Sequence, residues 1–142
     1  MCGRYRLSRR KQLIAEYFET GNEVDWEPRY NIAPSQQVGI IRQDPSRPAR
    51  HFALARWGLI PSWTSAASIG SKTINARSET VVTKPAFRDA FSSRRCLLPA
   101  DGFFEWLRHE VAYVIVRRAP PDRTCHPIGS TLRGIAIRKR IV

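Results

Sequence analysis

The chain reads as an α+β domain of short strands and a few helices, and three observations carry that reading. Two apolar runs flank a loop rich in proline and arginine, as in a hairpin. A single N-terminal stretch has helical periodicity, and most of the remaining chain is punctuated every few residues by proline or glycine. At 142 residues there is room for one domain with a real core and not for two ordinary ones.

Taken in order, Leu13, Ile14, Tyr17 and Phe18 recur at helical spacing and predict a helix over residues 9–20, capped by Ser8 and stopped by Gly21 and Asn22. Glu27-Pro28-Arg29-Tyr30-Asn31-Ile32-Ala33-Pro34 suggests a packed loop. Val38-Gly39-Ile40-Ile41 and His51-Phe52-Ala53-Leu54-Ala55-Arg56-Trp57 predict a hairpin joined through Asp44-Pro45-Ser46-Arg47-Pro48. A small-residue loop is expected over 64–71, then a strand end passing into a helical turn over 73–80 and a short helix over 85–91. Cys96-Leu97-Leu98-Pro99 and Gly102-Phe103-Phe104-Glu105-Trp106 read as strands, with one more over 111–116. Beyond Pro120-Pro121 periodicity is lost. Residues 1–118 are therefore expected to form the domain and 119–142 a basic, flexible tail.

The chain holds 24 Lys+Arg against 12 Asp+Glu, a formal net charge of +12. Such a surface favours a polyanion, nucleic acid first, although a solvated basic face without a specific partner has the same composition. Three cysteines, Cys2, Cys96 and Cys125, make no disulfide framework, which fits a reducing compartment. No run approaches the ~20 apolar residues of a membrane span, and no signal-peptide core is visible. A soluble protein, cytoplasmic or nucleoid-associated and monomeric, is expected. Cys125-His126 lacks further ligands at metal spacing, so neither metal nor cofactor is expected.

Cys2 carries the most specific chemistry. With Met1 removed, it bears an amine and a thiol on neighbouring carbons, with ordinary pKa values of about 7.7–8.0 and about 8.5. The amine can condense with an aldehyde and the thiol then close a thiazolidine ring. Alternatively the thiolate can attack an amide with its own amine as base. An accidental cysteine at position 2 is the bland alternative.

Five segments, in order, resemble the motifs of the SRAP family, the SOS response-associated peptidases that include abasic-site processing proteins. They are Met1-Cys2-Gly3-Arg4-Tyr5, Arg29-Tyr30-Asn31-Ile32-Ala33-Pro34, Trp57-Gly58-Leu59-Ile60-Pro61-Ser62-Trp63, Ile74-Asn75-Ala76-Arg77-Ser78-Glu79-Thr80 and Ala100-Asp101-Gly102-Phe103-Phe104-Glu105-Trp106. The resemblance covers residues 1–106. It implies a barrel-like mixed β-sheet with a few flanking helices, here shortened at the C-terminus. It also implies self-processing that exposes Cys2 and covalent capture of abasic sites in single-stranded DNA. In its terms Cys2 is the nucleophile, Asn75 holds the opened sugar, Glu105 is the active-site carboxylate, and Arg4 and Arg77 meet phosphates. The family's second-half histidine, in a His-x-Arg segment, has no counterpart among His51, His109 and His126.

These residue types suit that chemistry. A carboxylate can shuttle the proton that opens the sugar hemiacetal, an amide can orient a hydroxyl without adding charge, and a guanidinium fork binds two phosphate oxygens. Trp63, on a loop after Pro61-Ser62, is the candidate for base stacking, whereas Trp57 and Trp106 suit a core. Plainer readings stand beside them: Asn75 as a turn cap, Glu105 as an outward strand residue, Cys96 as a small hydrophobe. Two other functions fit parts of the pattern, an N-terminal nucleophile amidohydrolase and a degenerate fragment that binds nucleic acid by charge alone.

Overall fold

The computed structural model describes residues 3–23, 25–43, 46, 48–107 and 111–116, with residues 105–107 and 111–116 described by the course of their backbone. Chain order runs β1 (Arg4–Leu7), α1 (Lys11–Phe18), β2 (Arg29–Ile32), β3 (Gln37–Gln43), β4 (Arg50–Arg56), a 3₁₀ helix (Ala67–Lys72), α2 (Arg88–Ser93), β5 (Gly102–Leu107) and β6 (Val111–Val116). The α+β class stands. Four strands form one antiparallel sheet in the order β2-β1-β5-β6, and β3–β4 is a separate hairpin.

The described strands do not close into the barrel-like mixed sheet that the resemblance implies. The ladders between them are all antiparallel, β4 makes one parallel bridge from Arg50 to Thr20, and β3 joins residue 97 at a bridge where Ile41 and Leu97 exchange backbone hydrogen bonds of 2.9 Å. Residues 96–99 contribute this bridge rather than a strand. Pro99, two residues on, has no N–H with which to extend a ladder.

The hairpin has the expected strands, in unbroken register from Gln37↔Arg56 to Gln43↔Arg50. Its β4 edge is covered. The Asn22 amide donates to Phe52 O (2.9 Å) and accepts from Phe52 N (2.8 Å), while Gly21 N donates to Arg50 O (2.8 Å). Asn22 thus acts as a surrogate strand residue, not as the stop of α1. That helix ends earlier, at Glu19 in the left-handed region (φ 51°, ψ 50°).

Ser8 does not cap α1 either; the N-cap is Arg10, without a side-chain cap bond. Ser8 turns instead to Asp101, whose carboxylate accepts from the Ser8 backbone N–H (3.1 Å to each oxygen) and from its hydroxyl. With Asp101 N donating to Arg6 O (3.1 Å), this fastens the end of β1 to the start of β5. Residues 29–32, expected in a loop, form β2. The 64–71 loop contains the 3₁₀ helix. Residues 73–80 make bends and turns and no strand, and the 85–91 helix lies slightly later, as α2.

Two apolar clusters hold these pieces. The larger gathers Tyr5, Leu7, Ile14, Trp26, Ile32, Phe52 and Trp57 with the apolar face of β3. The smaller gathers Leu59, Val81, Phe87 and Ala90. Full burial of such a side chain contributes about 1.5–3 kcal/mol. Residues 117–142, which include the expected tail and Cys125-His126, lie outside the described residues.

Candidate active site and nucleic-acid interface

β1 begins at Arg4, two residues after Cys2, which itself lies outside the described residues. Its alternation sets Tyr5 and Leu7 into the core and leaves Arg4 exposed. Arg4 pairs with Phe104 across the antiparallel ladder, so the start of β1 runs beside Phe103-Phe104 of β5, one residue before Glu105. Glu105 stands opposite Tyr113 of β6. Its backbone is in the strand that the sequence predicts; its side chain is outside the described residues.

Asn75 reaches the same neighbourhood through Trp57. The Trp57 ring packs edge-on against Tyr5, with centroids 5.4 Å apart, and its Nε1–H donates to Ile74 O at 3.0 Å. Residue 74 is therefore tied to β1 one residue before Asn75. Trp57 is itself held on both sides of its backbone: Trp57 N donates to Gln36 O and Ser35 N donates to Trp57 O, each at 2.9 Å. The buried indole is a core residue, as expected. It is also the link between two motifs far apart in sequence.

The half-buried Asn75 sits at a seam. Ile74 packs on the larger cluster and Ala76 on the smaller, so the backbone on either side of the amide is fixed. Arg77 is exposed immediately beyond. Thr73, 6 % exposed, secures the approach by donating to the carbonyl of Leu59, with Ile69 O and Gly70 O also in reach at 3.0 and 3.2 Å.

Trp63 is 61 % exposed, free to offer a ring face to solvent as expected of a stacking residue. It lies on the loop between Trp57 and the 3₁₀ helix. Cys96 is half-buried against the larger cluster rather than fully enclosed.

Sequence reasoning missed two residues. Asn31 Oδ1 accepts from Arg4 Nη1 at 2.9 Å, holding that guanidinium on the exposed side of the sheet. Asp101 clamps β1 to β5. The signal for Asn31 was present: Arg29-Tyr30-Asn31-Ile32 lies between Pro28 and Pro34 with apolar residues two apart, the mark of a short strand. Asp101 left no local sign, because its partners are 93 positions away. Among the described residues no group of His, Cys, Asp and Glu could hold a metal ion, and no helix is long and apolar enough to cross a membrane.

Tyr5 adds a testable electrostatic feature. It is 2 % exposed and its hydroxyl has no partner among the described residues. Burial pushes its ionisation well above the usual value near 10, while the Arg29 guanidinium opposes that shift. Above pH 10 the unfolded chain releases this proton while the folded chain still holds it, so rising pH favours unfolding. Stability linked to Tyr5 is complete below pH 10 and falls by about 1.4 kcal/mol per pH unit above it, until the folded-state value is reached. Denaturant titrations between pH 8 and 11.5 should show this loss for the wild type and a shallower one for Tyr5→Phe. Parallel curves would refute it.

The model of the family described as SOS response associated peptidase (SRAP) matches residues 1–125. The abasic site processing protein YoaM of Bacillus subtilis (strain 168) is 43 % identical over 111 residues, covering 76 % of this chain and 48 % of that protein. The abasic site processing protein YedK of Escherichia coli (strain K12) is 34 % identical over 112 residues, 75 % of this chain and 48 % of that one. The chain thus spans about half the length of these relatives. Among solved structures, a protein from Bacteroides thetaiotaomicron superposes with a TM-score of 0.64 at 26 % identity, over 80 % of this chain and 52 % of that one. One from Bordetella bronchiseptica gives 0.61 at 31 %, over 73 % and 50 %.

Proposed function

The chain belongs to the SOS response associated peptidase (SRAP) family, and from that premise we propose that it captures abasic sites in single-stranded DNA covalently through Cys2. The observation that supports this reading furthest is the packing path from Tyr5 of β1 through Trp57 to Ile74, which draws Asn75 toward the strand that begins two residues after Cys2. An N-terminal amine and thiol, an amide, two exposed arginines and a carboxylate on the adjoining strand are the groups that an abasic aldehyde requires.

The sugar of an abasic site is a hemiacetal, and only its ring-opened aldehyde reacts. Glu105 carries the proton for ring opening and takes one from the incoming ammonium. The Cys2 amine adds to the aldehyde carbon and water leaves to give an imine. The thiol then adds across the C=N bond, its sulfur bonding to carbon and its proton passing to nitrogen, and a thiazolidine results. No oxidant or reductant is consumed. Asn75 orients the sugar hydroxyl, Arg4 and Arg77 hold flanking phosphates with Asn31 bracing Arg4, and Trp63 stacks on an unpaired base. Removal of whatever precedes Cys2, by self-processing, frees its amine. The protein acts as a monomer at the nucleoid, and the basic segment 119–142 adds attraction for DNA independent of sequence.

A denaturing gel tests this with three oligonucleotides of one sequence: intact, abasic, and abasic with the aldehyde reduced to an alcohol. The expected result is a heat-stable protein–DNA band with the unreduced abasic strand alone. Equal retention of all three would leave only charge-driven binding, and glutamine hydrolysis without DNA would favour an amidohydrolase.

A further inference from the structure

A second cationic feature lies at the loop end of the β3–β4 hairpin, away from Arg4, Asn75 and Arg77. An open cleft of about 260 Å³ is lined by Arg42, Arg50 and Arg95 together with Cys96, over Ile41 and Leu97. The fold makes it: the Ile41–Leu97 bridge sets Arg95 and Cys96 against β3, and the hairpin register places Gln43, next to Arg42, opposite Arg50. Among the described residues no carboxylate lines the cleft and none of these arginines takes part in an ion pair.

Two of the three guanidinium groups are oriented without being used up. Arg50 Nη1 donates to Phe18 O at 3.3 Å, one bond from a group with five N–H donors, and Arg95 lies over the Phe91 ring at 5.9 Å. Like charges gathered around one cleft repel, and a bridging oxyanion relieves that cost. The cleft is open to solvent, which suits a phosphate on a passing strand better than an enclosed small anion.

We infer that this cleft seats a backbone phosphate of the bound DNA strand, remote from the abasic site; the inference rests on the DNA-capture reading above. Its placement sets a length requirement. β3 runs from Gln37, opposite Arg56 and beside Trp57, to Gln43. The five steps from Gln37 to Arg42 extend about 17 Å at ~3.4 Å each. That is about five nucleotides at ~3.4 Å per step along a stacked strand. An abasic site with one flanking nucleotide on each side falls short of the cleft, and one with ten reaches it.

The test compares wild type with an Arg42→Gln/Arg95→Gln double variant, both positions being exposed. Binding is measured against salt with the long and the short abasic oligonucleotide, using Cys2→Ser backgrounds so that binding stays reversible. Losing the seated phosphate should make the slope of log K against log salt shallower by about 0.7 for the long strand and leave it unchanged for the short one. Peptide-resolved alkylation of Cys96 gives an independent readout: the long strand should slow it and the short strand should not. Equal slopes for both proteins on the long strand would overturn the inference. So would protection of Cys96 by inorganic phosphate or pyrophosphate but not by the long strand, which would mark a free-anion site. Covalent capture of the short strand by the double variant with Cys2 intact separates the two readings. Capture with unchanged slopes sinks the cleft alone. Altered slopes without capture by either protein sink the Cys2 chemistry and leave the cleft standing.

Discussion

Cys2→Ser is expected to eliminate the heat-stable adduct with abasic DNA while leaving reversible binding to the same oligonucleotide within about twofold. Serine keeps the α-amine, so an imine still forms and borohydride should trap it. What is lost is ring closure by sulfur. A thiol with an ordinary pKa of about 8.5 supplies some thiolate near neutrality, and a hydroxyl supplies essentially no alkoxide. The imine therefore hydrolyses on denaturation. Adduct yield on a denaturing gel with and without borohydride is the measurement. A serine variant that forms the band at wild-type yield without reductant would place the covalent bond on another residue. Glu105→Gln in the same assay should slow capture by about 10²–10⁴-fold if its carboxylate moves the protons, with little change in binding.

The largest loss of stability is expected from Gly58→Ala. Gly58 has φ +137°, a region that side chains rarely adopt, and a Cβ there would stand 2.5 Å from Gly70 O and 2.9 Å from Gly70 C. The obstructing atoms are backbone of the 3₁₀ helix, itself clamped by Thr73, so nothing flexible can give way. Strain of this kind costs about 1–3 kcal/mol, and overpacking against fixed atoms adds about as much. A total near 4 kcal/mol lowers the melting temperature by on the order of 10 °C or more. Gly70→Ala is the control, because its Cβ meets Gly58 at an ordinary 3.5–3.9 Å and φ is unremarkable. If the two variants melt together, the close approach does not bear on stability. Because Gly58 adjoins Trp57, the destabilised variant should also capture abasic DNA more slowly, through loss of the Trp57–Ile74 tie and not of any reacting group.

The β3–β4 hairpin was legible because apolar residues cluster on either side of one proline-rich loop, a local pattern. β5 and β6 were legible for a similar reason. The errors have physical causes of another kind. Ser8 has the composition of a helix cap, but a carboxylate at Asp101 offers its N–H and hydroxyl a charge-assisted acceptor that a helix terminus does not. Asn22 has the composition of a helix stop, but its amide matches the open edge of β4 at Phe52. Of the strand end and helical turn expected over 73–80, the strand end is absent because Thr73 is committed to the carbonyls above it and Trp57 to Ile74, while a turn stands at 78–80.

For the candidate site, residue types and order were legible by themselves: the Cys-Gly start, Asn75 and Arg77 on either side of Ala76, Glu105 within an aromatic strand, and Trp63 on its loop. Chemistry at that level belongs to single side chains, and a sequence states those directly. Only the tertiary structure decided how they are held: Arg4 braced by Asn31, Asn75 fixed at the seam of two clusters, β1 pinned to β5 by Asp101, and arginines from β3, β4 and residue 95 brought to one cleft. Each of those joins residues far apart in the chain through packing or hydrogen bonds that have no period and leave no local mark. The sequence alone therefore determined which groups are available for reaction, and the long-range contacts determined where they stand.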